Sequence, residues 1–209
     1  TGNFGNAYAG FISKNMGLPI NKIVVSSNKN DVLTRFFESG KMRSKKTLRS
    51  LSPSMDIQIS SNFERLLFDF YKEGRDIKRL MKKLETENEF EVSQSILIKI
   101  KEHFEYGSIS DEDTLETIKN VNSKYNIIID PHTAVGYKVG KKKLGNQEKR
   151  VYLATAHCSK FINTVSDALD RNINYPKELE NLLKKKEDYH LIDNDINKLQ
   201  KYILNSIKL

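Results

Sequence analysis

Apolar positions recur at helical spacing near the start of the chain. Ala7, Phe11, Ile12 and Met16 share one face, so the spacing predicts a helix that Gly17 and Pro19 close. The β-branched run from Lys22 to Ser27 predicts a short buried strand. Asn30 is a candidate cap for a helix carrying Val32, Leu33, Phe36 and Phe37, ended by Gly40. Residues 41–50 are basic and turn-rich and read as a loop. After an irregular stretch, a helix capped near Ser61 brings Phe63, Leu66, Leu67 and Phe70 onto neighbouring faces. Residues 75–105 read as helices with a charged connection. Ser110 and Asp113 form a capping pattern ahead of a further helix. Residues 126–136 read as a brief strand, a loop and a helix start, and Val151–His157 as the clearest second strand. The order of turn, helix and strand predicts an α/β fold: a layered sheet with flanking helices, and a Lys/Glu-rich helical tail at 176–209 that belongs to the same unit.

Composition narrows the function classes. The chain has 209 residues, a net charge of +8 and one cysteine, Cys158. A single thiol forms no internal disulfide and no multi-thiolate zinc site, and a reducing, cytoplasmic setting is expected. No apolar run is long enough to span a bilayer, so no membrane partner is expected. No histidine–carboxylate group has metal spacing, so no metal is expected either. The positive charge permits a nucleic-acid surface through Lys41–Arg49 and Lys138–Lys143. Interleaved aromatics and helix-turn-helix or zinc patterns are missing, so nucleic acid is not the expected partner. A plain bias toward lysine accounts for the charge.

Gly2-Asn3-Phe4-Gly5-Asn6 directly precedes the first helix. Glycines allow a sharp turn and close approach to a ligand, and a helix start favours an anion. No Lys-Ser/Thr follows and there is no G-x-G-x-x-G, which excludes a nucleoside-triphosphate loop and a dinucleotide fingerprint. Read from the residues alone, a phosphate cradle and an ordinary turn both remain open.

Several phrases occur together and in a fixed order: TGNFGN at Thr1–Asn6, LSPSMDIQISSNFERLLFD at Leu51–Asp69, SISDEDTLETI at Ser108–Ile118, DPHTAVG at Asp130–Gly136 and LATAH at Leu153–His157. In this order the sequence resembles the threonine synthases, over residues 1 to about 165. The long SPSMDIQ…SNFER phrase is the most specific part. The resemblance implies the C-terminal part of a fold-type II enzyme that uses pyridoxal phosphate to convert O-phospho-L-homoserine and water to L-threonine and phosphate. It implies that Gly2, Asn3, Phe4, Gly5 and Asn6 line the cofactor phosphate. It also implies that Thr155, at the end of the LATAH strand, meets the pyridine nitrogen, a hydroxyl partner that leaves this nitrogen largely unprotonated. Family members usually continue LATAHP, whereas this chain has Cys158, a change expected to alter a turn and not the chemistry.

The family's catalytic lysine lies in a Ser-Phe-Lys-Asp type motif upstream of the phosphate loop. That motif is not in this sequence, which begins without Met inside the glycine-rich phrase. A truncated start is therefore expected, with the missing N-terminal part of the same enzyme as a partner, an inactive fragment and an exposed apolar face prone to aggregation. The catalytic residue is unassigned. Ser61, Asn62 and Arg65 are candidates for the substrate, because a helix start beside an arginine suits a carboxylate or phosphate. Ser54, Met55 and Asp56 are weaker candidates as site walls. His132 and His157 read as structural before functional, His103 and His190 carry no role, and Cys158 reads as inert because neighbouring strand residues face opposite ways. Two further readings are a phospho-lyase that shares the cofactor frame but releases a keto acid, and a non-catalytic relative.

Overall fold

The computed structural model describes residues 2–145 and 149–207. It divides into two compact units, Thr1–Asn174 and Tyr175–Leu209. The first is built from α1 (Gly5–Asn15), β1 (Ile23–Ser27), α2 (Val32–Ser39), β2 (Lys41–Arg43), α3 (Phe63–Tyr71), α4 (Gly74–Glu87), β3 (Glu89–Glu91), α5 (Gln94–Lys101), β4 (Phe104–Ser108), α6 (Asp111–Tyr125), α7 (Pro131–Lys143) and α8 (Ile162–Leu169). Short 3-10 turns at Pro53–Met55 and Cys158–Phe161 interrupt the loops. The second unit holds α9 (Lys177–Leu183) and α10 (Ile196–Ser206). Within α10 no side chain is buried.

The α/β reading holds, in an economical form. β1 pairs in parallel with β4, Ile23 opposite Phe104 through Ser27 opposite Ser108. β2 pairs antiparallel with β3, Lys41 opposite Glu91 through Arg43 opposite Glu89. A parallel pair needs a long crossover, and here α2 to α5 supply it. Their apolar faces close over a core rich in phenylalanine: Phe4, Phe11, Phe36, Phe37, Phe63 and Phe104 are all buried. Phe36 meets Phe63 edge-on with ring centroids 4.7 Å apart, and Phe37 stacks on Tyr106 at 5.3 Å. A second cluster joins Met55, Ile109, Val135 and Val139 under β1. A third joins Ile118, Ala134, Val165 and Ala168.

Several local expectations are corrected. Val151–His157 forms no strand: the segment is irregular, and Val151 and Leu153 are 90% and 60% exposed. A strand needs a neighbour to take its backbone bonds, and among the described residues none lies alongside. Residues 126–130 are likewise irregular. The 75–105 stretch is not all helix but contains β3 and the start of β4, and the 41–50 loop begins with β2. These strands are short or carry glycine and glutamate, which hides their period. Asn30 does not cap α2, because Asp31 occupies the cap position and makes no side-chain cap bond. Ser61 does not cap α3, which starts after Asn62. Ser110 does cap α6, accepting from the Asp113 amide.

Candidate functional site

The glycine-rich turn enters α1 through Phe4, which sits in the left-handed region at φ 63°. A non-glycine residue there is uncommon and persists only where its surroundings dictate it. Here the ring dictates it. Phe4 is fully buried, edge-on to Phe63 at 5.1 Å and tilted against Phe104 at 5.7 Å. Asn3, Gly5 and Asn6 stay exposed. The core thus grips one residue of the turn and leaves its neighbours open.

The segment before α3 grips the turn's other side. Ser60 Oγ donates to the Gly2 carbonyl at 2.9 Å. Asn62 donates to the Asn3 carbonyl from its side chain at 2.9 Å and from its backbone at 3.2 Å. Ser61 Oγ donates to Asn3 Oδ1 at 3.4 Å. Among the described residues no peptide bond is cis, so each N–H points opposite its carbonyl. The amides of Asn3 and Phe4 therefore face away from residues 60–62. The amides of Gly5, Asn6 and Ala7 are the free first donors of α1, and Phe4 offers no side-chain cap to them. Among the described residues none of these amides has an acceptor. The result is a run of unpaired donors at the positive end of a helix of 11 residues, an arrangement that suits a phosphate.

A third element closes the back of the turn. A Cβ on Gly2 would lie 2.8 Å from the Ser54 carbonyl oxygen and 3.1 Å from Met55 Cα. Only glycine lets the two backbones touch. The Ser54 amide in turn donates to His132 Nε2 at 3.1 Å. His132 is 5% exposed, and its Nδ1 lies 2.9 Å from Asp130 Oδ1. Because Nε2 accepts, Nδ1 carries the proton and donates to Asp130. Asp130 also accepts from the His132 amide at 2.9 Å, the Thr133 amide at 3.4 Å and the Thr133 hydroxyl. It caps α7. Burial pushes the Asp130 carboxyl up, but the bonds from the His132 ring, the Thr133 hydroxyl and the His132 amide outweigh it and hold the group below the usual carboxylate range.

Beyond this turn lies a polar hub at the carboxyl end of β1, the side of a parallel sheet where ligands bind in open α/β folds. Asn28 is 1% exposed and donates to Ser50 Oγ at 2.6 Å, Ser52 Oγ at 2.9 Å and Asp56 Oδ1 at 2.8 Å. Asn30 donates to Asp56 Oδ1 at 2.9 Å and accepts from the Leu48 amide at 2.8 Å. The hub ties residues 48–58 to β1. Sequence reasoning missed it. The signal was there in two asparagines spaced by one residue just past a strand, which read more simply as a helix cap.

The structure therefore brings Gly2, Asn3, Phe4, Gly5, Asn6, Ser61 and Asn62 together, with Ser54, Met55 and His132 behind them. Arg65 stays exposed on α3, where its charge opposes the rise in the Tyr8 pKa caused by burial and by the Tyr8 bond to Asp69. Thr155 is exposed in the irregular 151–155 segment, and among the described residues no hydrogen bond joins it to the turn. His157 accepts from the Ser159 amide and caps the second 3-10 turn. Cys158 is half-buried against the cluster around Ile118. His103 lies between the Phe11 and Phe70 rings, at 5.3 and 6.0 Å; burial lowers its pKa, and the nearby Lys14 charge acts in the same direction. Among the described residues no cluster of His, Cys, Asp and Glu suits a metal, and no helix is long and apolar enough to cross a membrane.

Comparison with known proteins shows what the chain is similar to. Residues 133–203 match the family described as threonine synthase, C-terminal. Threonine synthase of Pseudomonas aeruginosa is 37% identical over 97% of this chain, and that of Saccharomyces cerevisiae 40% identical over 89%. The crystal structure of a PLP-bound threonine synthase from Brucella melitensis superposes on all of this chain with a TM-score of 0.89 at 37% identity. This chain belongs to the threonine synthase family. A yeast threonine synthase structure agrees, with a TM-score of 0.84 at 34% identity over 99% of the chain. The chain spans 44% and 42% of the length of the Pseudomonas and Saccharomyces relatives, and 45% of the Brucella chain. Its likeness to threonine synthases is thus a likeness to their C-terminal part.

Proposed function

We propose that these 209 residues are the phosphate-holding, C-terminal part of a threonine synthase that converts O-phospho-L-homoserine and water to L-threonine and phosphate. The observation that carries the reading is the run of unpaired amides from Asn3 to Ala7, aimed by a buried Phe4 and backed by glycine at position 2. The Brucella relative is a PLP-bound threonine synthase, and the donor set here fits the phosphate of pyridoxal phosphate. Pyridoxal phosphate, when bound, supplies an electron sink for breaking bonds to the amino-acid carbons. The chain's own contribution is positional. The amides of Asn3, Phe4, Gly5, Asn6 and Ala7 would hold the phosphate without a charged side chain, so the donors are fixed before the ligand arrives. Ser61 and Asn62 stand at the edge of the same turn, next to the space a substrate would enter. In this reading Thr155 is the hydroxyl that meets the pyridine nitrogen, in a segment that orders against the remainder of the enzyme. The lysine that bonds to the cofactor belongs to that remainder, and the enzyme works in the cytoplasm.

The test is an assay of the full parent chain with O-phospho-L-homoserine. Threonine and inorganic phosphate in equal amounts are expected, with no turnover by residues 1–209 alone. A keto acid in place of threonine would replace the reading with that of a phospho-lyase. Turnover by residues 1–209 alone would refute it.

A further inference from the structure

The proposed function leaves one buried apparatus unexplained: a histidine whose two ring nitrogens are both engaged, one by a carboxylate and one by a main-chain amide, behind the phosphate turn. We infer that His132 is a positioning residue that sets the depth of the Gly2–Asn6 turn by holding the Pro53–Met55 turn against it. The inference rests on the reading of that turn as a phosphate site.

Asp130 and Thr133 fix the start of α7, and Asp130 fixes the His132 tautomer with the proton on Nδ1. The bare Nε2 then takes the Ser54 amide at 3.1 Å. Ser54 is the middle residue of a three-residue 3-10 turn, whose carbonyl and neighbouring Cα occupy the space where Gly2 would carry a side chain. The Phe161 ring lies tilted against the imidazole, with centroids 4.6 Å apart. Met55 is buried in the cluster with Val135 and Val139 of α7, so the turn is held by packing as well as by one directed bond. That bond sets where along the α7 surface the turn sits. If the acceptor is lost, the Ser54 carbonyl is free to shift toward or away from Gly2, and the donors at Asn3 to Ala7 move with it.

A positioning role and a merely structural one differ in what they change. General loosening of the fold weakens every ligand alike. A displaced phosphate turn weakens only ligands with a phosphate. The probes are pyridoxine 5′-phosphate and pyridoxine, which lack the aldehyde and so form no bond with the many lysines. Binding to the 209-residue chain is followed by the amide resonances of Gly5 and Asn6. The unsubstituted chain is expected to prefer the phosphorylated ligand. His132→Gln can place Oε1 near the position of Nε2 and is expected to keep that preference within about twofold. His132→Asn keeps a donor toward Asp130 but has no acceptor for Ser54, and is expected to reduce the preference about fivefold, the effect of one lost hydrogen bond. An unchanged preference in H132N, or an equal loss in H132Q, overturns the inference while leaving the phosphate site standing. No preference in the unsubstituted chain removes the phosphate reading and this inference with it. Should H132N not fold, deuterium exchange at the Ser54 amide decides. Pyridoxine 5′-phosphate, and not pyridoxine, is expected to slow that exchange, and equal rates with the two ligands would overturn the role.

Discussion

Asp130→Ala is the substitution with the most to teach. The carboxylate caps α7 by accepting from the His132 and Thr133 amides, and losing a cap of this kind costs about 0.5–2 kcal/mol. Two further donors, the His132 ring N–H and the Thr133 hydroxyl, also end on Asp130. Both residues are buried, so removing the acceptor leaves each donor without a partner, at about 1–3 kcal/mol apiece. Relaxation around a small side chain offsets part of this, and the expected loss is about 3–5 kcal/mol. Urea denaturation of the 209-residue chain, followed by far-UV circular dichroism, measures it. Asp130→Asn is the control, since asparagine is as good a cap and can still accept from His132. It is expected to lose less than half as much. A D130A loss of about 1 kcal/mol or less would mean that solvent reaches these donors and that the buried cluster is not the clamp described above.

Other expectations follow from the same residues. The folded Asp130 pKa is depressed, so its contribution to stability is complete above the unfolded value of about 3.9 and is lost as pH falls through the lower folded value. Urea midpoints measured from pH 6 to pH 2 should fall across that window in the wild type and show a smaller fall in D130N. Gly2→Ala forces a Cβ to 2.8 Å from the Ser54 carbonyl, so the turn must move. Affinity for pyridoxine 5′-phosphate is expected to drop about tenfold, with a loss of stability under about 1 kcal/mol, both read in one titration and one melt. Lys138 bridges Asp113 and Glu116 at 3.4 and 2.7 Å on a partly exposed face. Lys138→Met is expected to cost less than about 1 kcal/mol, and less again in 1 M salt. Cys158→Ser is expected to leave ligand preference unchanged, because the thiol packs against the Ile118 cluster and not at the turn.

Helices α1, α2 and α3 were legible because their apolar faces meet the core directly, and α6 because Ser110 caps it. β3 and β4 were not, since a three-residue strand with glutamate at both ends and a strand containing glycine leave no alternation to read. The reverse error at Val151–His157 has a related cause. β-branched and aromatic residues describe a surface that could pair, and pairing depends on a neighbour that periodicity does not report. In the site, glycine and asparagine announced the turn, but nothing local announced its supports. Asn28, Asp56 and His132 meet their partners across separations of 22 to 78 positions, so their role emerges only once the chain is folded.

Phe4 carries a consequence for anyone searching this chain by random mutagenesis. The residue that sets the angle of the ligand-facing amides is an aromatic ring locked among Phe63 and Phe104, so recognition is governed from inside the hydrophobic interior. Variants at positions 63 and 104, which no ligand could touch, should surface among binding-deficient clones even when they melt at near-normal temperatures. Such hits would trace the lever by which the interior steers the mouth of the site.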